Sequence, residues 1–166
     1  MFNICIQNLA KYNEGELVFE WLELPATEEE IEEVLERVLG KDEEYMIVDY
    51  ENSIGYEVHE YSNIYKLNEL AERLERIDDS GLTTILKAAL EIESDLEYAI
   101  EIVEQDGFYY YDAKDEQDLG YYVVNEDFLG EISEELMGYI NYEAVGRDWA
   151  INSAGVFVDG YYVVIY

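Results

Sequence analysis

Residues Leu17–Gly40 read LVFEWLELPATEEEIEEVLERVLG, and the hydrophobic period changes inside them. Leu17–Leu24 is strand-like, rich in Val18, Phe19, Trp21 and Leu22. Pro25, the only proline, closes that strand. Thr27 then stands at an N-cap position with Glu30 three residues on, a capping box. Ile31, Val34, Leu35, Val38 and Leu39 recur at helical spacing, and Gly40 sits where a helix ends. A strand, a proline stop and a capped amphipathic helix within 24 residues predict an α+β fold.

Working outward, Met1–Leu9 alternates as a strand, and Lys11–Glu16 holds an Asn and a Gly suited to a turn, so the two strands are expected to form a hairpin. Tyr45–Tyr50 reads as a third strand. Residues 1–60 are thus a small mixed α/β module. Residues 61–106 become helical. Ile64 to Ile77 keep helical spacing, Asp78–Gly81 interrupts it, and Leu82 to Leu90 resume it. Ser94 and Glu97 offer a second capping box before Leu96, Ala99, Ile100 and Val103. Residues 107–166 return to mixed structure: an aromatic strand at Gly107–Asp112, a helix favoured over Asp115–Asn125, and a helix Glu134–Val145 capped by Ser133. Strands Gly155–Val158 and Tyr161–Tyr166 flank Asp159-Gly160, the strongest hairpin signal in the chain. The expected architecture is an elongated chain of three small modules.

Charge narrows the function. The 166 residues carry 41 Asp+Glu against 9 Lys+Arg, a net charge of −32. Such a chain repels nucleic acid and anionic membranes, so neither is an expected partner. Disorder is opposed by 49% hydrophobic and 14% aromatic content, with 17 tyrosines. The acids are spread along the chain. With the apolar face of the first helix fixed, Glu28, Glu29, Glu32, Glu33 and Glu36 point to water, where Glu28/Glu32 and Glu29/Glu33 are like-charge pairs. Asp95, Glu97, Glu101 and Glu104 are the outward set of Ser94–Glu104, and Asp115, Glu116, Asp118, Glu134 and Glu135 extend it. Duplex DNA carries one charge per ~1.7 Å, so −32 matches about 16 base pairs. Carboxylates along the flanks of the chain can present a DNA-like charge density.

Chemical sites are sparse. Cys5, the single cysteine, lies in an apolar alternation and reads as an inert strand residue. His59, the only histidine, stands between acids and reads as a surface residue. Asp112–Gly120 fails as a calcium loop, with Lys114 at position 3 and Gln117 where glycine is required. There is no phosphate-binding glycine motif and no nucleophile constellation, so no cofactor, metal or catalytic activity is expected. Without a signal peptide or an apolar span, a cytoplasmic protein is the simplest reading. Phe108, Tyr109, Tyr110 and Tyr111 make both faces of one strand aromatic. Either that strand is buried on both sides or one face meets a partner, and these residues are the candidate interface of a homodimer.

Two stretches carry a resemblance. Lys11–Pro25 (KYNEGELVFEWLELP) resembles the N-terminal signature of the ArdA antirestriction family. Asn141–Ile151 (NYEAVGRDWAI) resembles its C-terminal block. The resemblance implies proteins encoded on mobile elements of bacteria. It implies elongated three-module chains that dimerise, imitate bent B-form DNA and occupy the DNA groove of type I restriction-modification enzymes, at the methyltransferase core. Incoming DNA is thereby protected from cleavage, with no reaction of the inhibitor's own. Within the motifs a structural role is favoured: Asn13 and Gly15 for a turn, Gly146 to end a helix, Arg147 and Asp148 as a buried or semi-buried pair. The competing readings are a salt-adapted acidic globular protein and an acidic inhibitor of another protein.

Overall fold

The computed structural model describes residues 2–126 and 128–166; Met1, included in the expected first strand, lies outside them. Two compact units divide the chain, Met1–Asp79 and Ser80–Tyr166. The boundary falls within the stretch 61–106 that the sequence suggests as a helical module. Its first helix belongs to the first unit and its other two to the second.

The first unit runs β1 (Phe2–Asn8), α1 (Leu9–Asn13), β2 (Phe19–Leu24), α2 (Glu28–Leu39), β3 (Tyr45–Asn52) and α3 (Ile64–Asp79). Its antiparallel sheet has the order β2-β1-β3. β1 pairs Phe2 with Leu24 and Gln7 with Phe19 on one side, and Phe2 with Asn52 and Asn8 with Tyr45 on the other. One sheet face, with Phe2, Ile4, Ile6, Leu22, Leu24 and Ile47, forms a buried core with Ile31, Val34 and Val38 of α2 and Ile64, Leu67 and Ala71 of α3. β1 and β2 are antiparallel neighbours as expected, but a helical turn replaces the tight turn between them. Asn8 explains this. Its Oδ1 accepts from Lys11 N–H (2.9 Å), capping α1, while its Nδ2 donates to the Val38 carbonyl (3.1 Å) and to Asp42 Oδ2 (3.0 Å). One buried amide therefore starts α1 and satisfies an orphan carbonyl in the last turn of α2.

The α2 signals hold. Thr27 N–H donates to Glu30 Oε2 (2.8 Å) and Glu30 N–H returns a bond to Thr27 Oγ1 (3.3 Å), while Gly40 ends the helix at φ 59°. Asn68 of α3 grips both polar groups of Ala26, accepting from its N–H (2.7 Å) and donating to its carbonyl (2.9 Å).

The second unit runs α4 (Thr83–Ile92), α5 (Leu96–Glu104), β4 (Phe108–Asp112), α6 (Glu116–Asn125), α7 (Glu134–Met137), α8 (Tyr142–Ser153), β5 (Val156–Val158) and β6 (Tyr161–Ile165). Its sheet has the order β4-β6-β5. The β5–β6 hairpin turns on Asp159 (φ 48°) and Gly160 (φ 90°), both left-handed as a two-residue type I′ turn requires. Tyr162 is fully buried. Its hydroxyl accepts from Gly155 N–H (2.9 Å), donates to the Ala150 carbonyl (3.0 Å) and lies 2.8 Å from Ser153 Oγ.

Four local expectations are corrected. Asp95, one residue later than Ser94, caps α5, its carboxylate accepting from Tyr98 N–H (2.9 Å); this register buries Leu96, Ala99, Ile100 and Val103. The helix expected over Glu134–Val145 is broken. α7 ends at Met137, and a new helix starts at Tyr142 with Asn141 as its cap. Gly146 lies inside α8 instead of ending a helix. A Cβ there would sit 1.7 Å from the Glu116 carbonyl oxygen, and one at Gly120 would sit 1.8 Å from the Tyr142 carbonyl oxygen. The two glycines let α6 and α8 touch backbone to backbone. Arg147 and Asp148 are both exposed, not a buried pair, because the face of α8 that carries Gly146 is the one turned to α6.

Gly146→Ala is expected to destabilise the fold by about 1–3 kcal/mol or more, since backbone cannot yield as a side chain does. Thermal unfolding followed by circular dichroism reads this as a loss of about 2–4 °C per kcal/mol. Gly138→Ala, whose Cβ would meet nothing within 4 Å, serves as the neutral control. Thr27→Ala should cost about 1 kcal/mol through the lost cap. The backbone N–H of Thr27, helped by its hydroxyl, holds the Glu30 carboxyl below its usual range. A lowered folded-state value stabilises above the ordinary carboxylate range and is lost as pH falls through it. Ala keeps that backbone N–H and loses only the hydroxyl, so the gap between wild type and variant should narrow only in part below about pH 4, the ordinary Glu range, measured by denaturant unfolding across pH.

Candidate interaction surface

Each unit carries a net charge of −16, so both halves are equally acidic. The cations are spent locally. Lys11 meets Glu14 (2.8 Å) and Glu16 (3.4 Å), Lys87 meets Asp159 (2.9 Å), and Lys114 meets Asp118 (3.2 Å). Arg37 grips Glu20 with two guanidinium nitrogens (3.0 and 2.7 Å), and this hydrogen bonding holds the Glu20 carboxyl below its usual range. Exposed pairs of this kind contribute little to stability, ~0–1 kcal/mol each. Their effect is to leave most carboxylates without a cation.

The clearest array lies on α2. Glu28, Glu29, Glu32, Glu33 and Glu36 are all exposed, opposite the buried Ile31, Val34 and Val38. Among the described residues, Glu33 alone of these five is paired with a cation, Arg37 at 3.5 Å. The helix has 12 residues, about 18 Å at 1.5 Å per residue. It holds six acids and one arginine, or one net negative charge per ~3.6 Å. A single strand of B-form DNA carries one phosphate per ~3.4 Å of axis. The capping box fixes where this row starts, and the buried face fixes which way it points.

The expected residues of the second unit are more divided. Asp95, Glu104, Asp115, Glu134 and Glu135 are exposed, but Asp95 and Asp115 also cap α5 and α6. Glu97, Glu101, Glu116 and Asp118 are half-buried. They lie on α5, α6 and α7 rather than on one helix face. Sequence reasoning missed Glu69, Glu72 and Glu75 on the exposed side of α3, signalled by their three-residue spacing opposite Leu67, Leu70 and Ala71.

The aromatic strand divides likewise. β4 is an edge strand with a neighbour on one side only. Tyr111 is buried, its ring against Tyr122 and Tyr162, so it belongs to the core. Phe108 is half-buried. Tyr109 and Tyr110 are exposed at 43% and 53%, with Tyr110 set edge-on to Tyr161.

His59 is exposed, and Cys5 is buried on β1, where burial and then the Asp49 charge push its thiol up, disfavouring the thiolate. Among the described residues no three of His, Cys, Asp and Glu are grouped to hold a metal ion, and no helix is long and apolar enough to cross a membrane.

No curated protein matches this chain. The family model described as "Antirestriction protein (ArdA)" matches residues 4–164, nearly its whole length. That match takes in both the Lys11–Pro25 and Asn141–Ile151 blocks, and the family is one of inhibitors, not enzymes. With two acidic α+β units and a family match from the first strand to the last, the chain belongs to the ArdA antirestriction protein family.

Proposed function

We propose that the protein inhibits restriction by standing in for DNA. Its carboxylates occupy the phosphate positions in the DNA-binding groove of a type I restriction-modification enzyme, at the methyltransferase core, and so protect incoming mobile DNA in the cytoplasm. The observation that carries this reading is the α2 row, whose net charge spacing of ~3.6 Å lies close to the ~3.4 Å phosphate rise of one DNA strand. A groove built to neutralise many phosphates binds such a row by the same many weak contacts. No bond is made or broken, so the inhibitor acts by occupancy alone.

The active form in this reading is a homodimer joined near β4. Its free edge offers unpaired backbone groups to a symmetry mate, and Tyr109 and Tyr110 supply apolar surface there. Two chains of charge −32 repel, which places the contact on the aromatic edge with acids kept to its rim. Pairing doubles the duplex length that the charge can match, from about 16 to about 32 base pairs.

The direct test is competition between the protein and duplex DNA for a purified type I methyltransferase core, at several salt concentrations. Displacement of duplex is expected to change little with salt, because one polyanion replaces another, whereas direct binding of the protein to the core without DNA should weaken steeply; no displacement at low salt overturns the reading. Glu32→Gln should change affinity little, whereas Gln at Glu28, Glu29, Glu32, Glu33 and Glu36 together should weaken it progressively and flatten the salt slope. A single neutralisation that abolished binding would point to a discrete site. For the dimer, Tyr110→Asp should shift the sedimentation coefficient toward the monomer; a wild type that is monomeric at micromolar concentration contradicts the dimer.

A further inference from the structure

The core accounts for one face of the first sheet. The other face carries the remaining side chains of the three strands, and the register arranges it in three cross-strand rows. Phe19, Gln7 and Met46 form the first; Trp21, Cys5 and Asp49 the second; Glu23, Asn3 and Glu51 the third. Neighbouring strands lie ~4.8 Å apart, so each row is about 10 Å wide. The register shift between Cys5 and Ile6 adds Val48 beside the second row.

Three features of this face need explaining. Phe19, Trp21 and Val48 stay exposed at 54%, 43% and 42%, and Leu17 just before β2 at 71%. Phe19 and Trp21 on β2 and Val48 on β3 flank the central strand, more apolar surface than the scattered single residues normal on a surface. Gln7, between Phe19 and Met46, is buried to 5% exposure, yet its Nε2 has no hydrogen-bond partner. Buried amide donors are nearly always paired. The third row turns acidic, with Glu23 and Glu51 on either side of Asn3, whose Oδ1 is also buried and unpartnered. Apolar walls and an acidic end, laid over the already enclosed Gln7, describe a docking face for a segment that brings apolar side chains and a cation for the acidic row.

We propose that this face is a second contact surface of the inhibitory complex, docking an apolar, Lys- or Arg-flanked segment of the restriction enzyme beside its DNA groove; the partner's identity rests on the function proposed above. DNA cannot supply this contact, because a duplex offers neither a cation nor an apolar knob. The surface therefore adds what charge imitation alone lacks, a preference for this enzyme over other DNA-binding proteins. A second copy of this chain is a poorer occupant, since Glu23, Asp49 and Glu51 would meet their like.

The experiment measures affinity for the methyltransferase core against salt, by calorimetry, for wild type, Phe19→Ser/Trp21→Ser and Leu17→Ser. Burial of apolar surface is not screened as phosphate-like contacts are. The double variant should therefore shift the whole line of log affinity against log salt downward, about tenfold or more, with its slope kept. The heat-capacity change of binding should also become less negative. Leu17→Ser, at a site outside both strands, should shift the line in the same direction by less, with the thermal midpoint unchanged. Lines that superimpose on wild type for both variants would overturn the proposal. So would a sedimentation shift in the double variant of the free protein, which would assign the face to self-association. A wild type that binds the core without displacing duplex would overturn the groove reading and leave the parallel shift to decide the docking face. No binding at all would overturn both.

Discussion

Mutual repulsion among 41 carboxylates sets the terms for this fold. Each exposed acid must face water, so every long helix can give only one stripe to a core. The structure meets that limit by splitting the chain into two units, each with a three-stranded sheet and helices packed on it. Cohesion then depends on contacts that need no cation. Asn8 joins α1 to the end of α2, Asn68 holds the Ala26 corner, and Tyr162 ties its strand to the end of α8. The Gly120–Gly146 contact brings two backbones together where larger residues would hold them apart. Apolar packing and neutral hydrogen bonds carry the stability.

How much of this was legible in the sequence depended on whether the signal was local. The α2 capping box and Gly40 are written in consecutive residues and appear as read. So does the Asp159-Gly160 hairpin, because both residues tolerate the left-handed backbone that the turn requires. The cap of α5 slipped by one, since Ser94 and Asp95 are both good caps and only the burial of Leu96 and Ile100 chooses between them. Gly146 was misread because a helix-ending glycine and a helix-crossing glycine look alike until the partner, Gly120, is in place. Arg147 and Asp148 followed that error, since their direction depends on which side of α8 meets α6.

The candidate surface was legible in the same uneven way. On α2 the apolar stripe is unambiguous, so the five glutamates opposite it follow directly. In the second unit, half-burial and capping duties divide the acids among roles that composition cannot separate. The alternation of β2 also left open which of its faces was solvent. Leu22 and Leu24 turned inward, so Phe19 and Trp21 turned out.

The charge row on α2 has a consequence for the free protein. In water, two unit charges repel with thermal energy at a separation of about 7 Å. The net spacing along α2, ~3.6 Å, is half that. Small cations must therefore gather along the helix before any partner arrives. In the complex proposed above, the enzyme's DNA groove would gather anions for the same reason. If the two surfaces meet as proposed, both ion clouds disperse into the solvent, and the entropy of that double release would drive the association. DNA leaving the groove would recapture its own cations, so the proposed exchange of one polyanion for the other would be nearly balanced in ions. In that reading, shape and apolar contact would decide which polyanion stays.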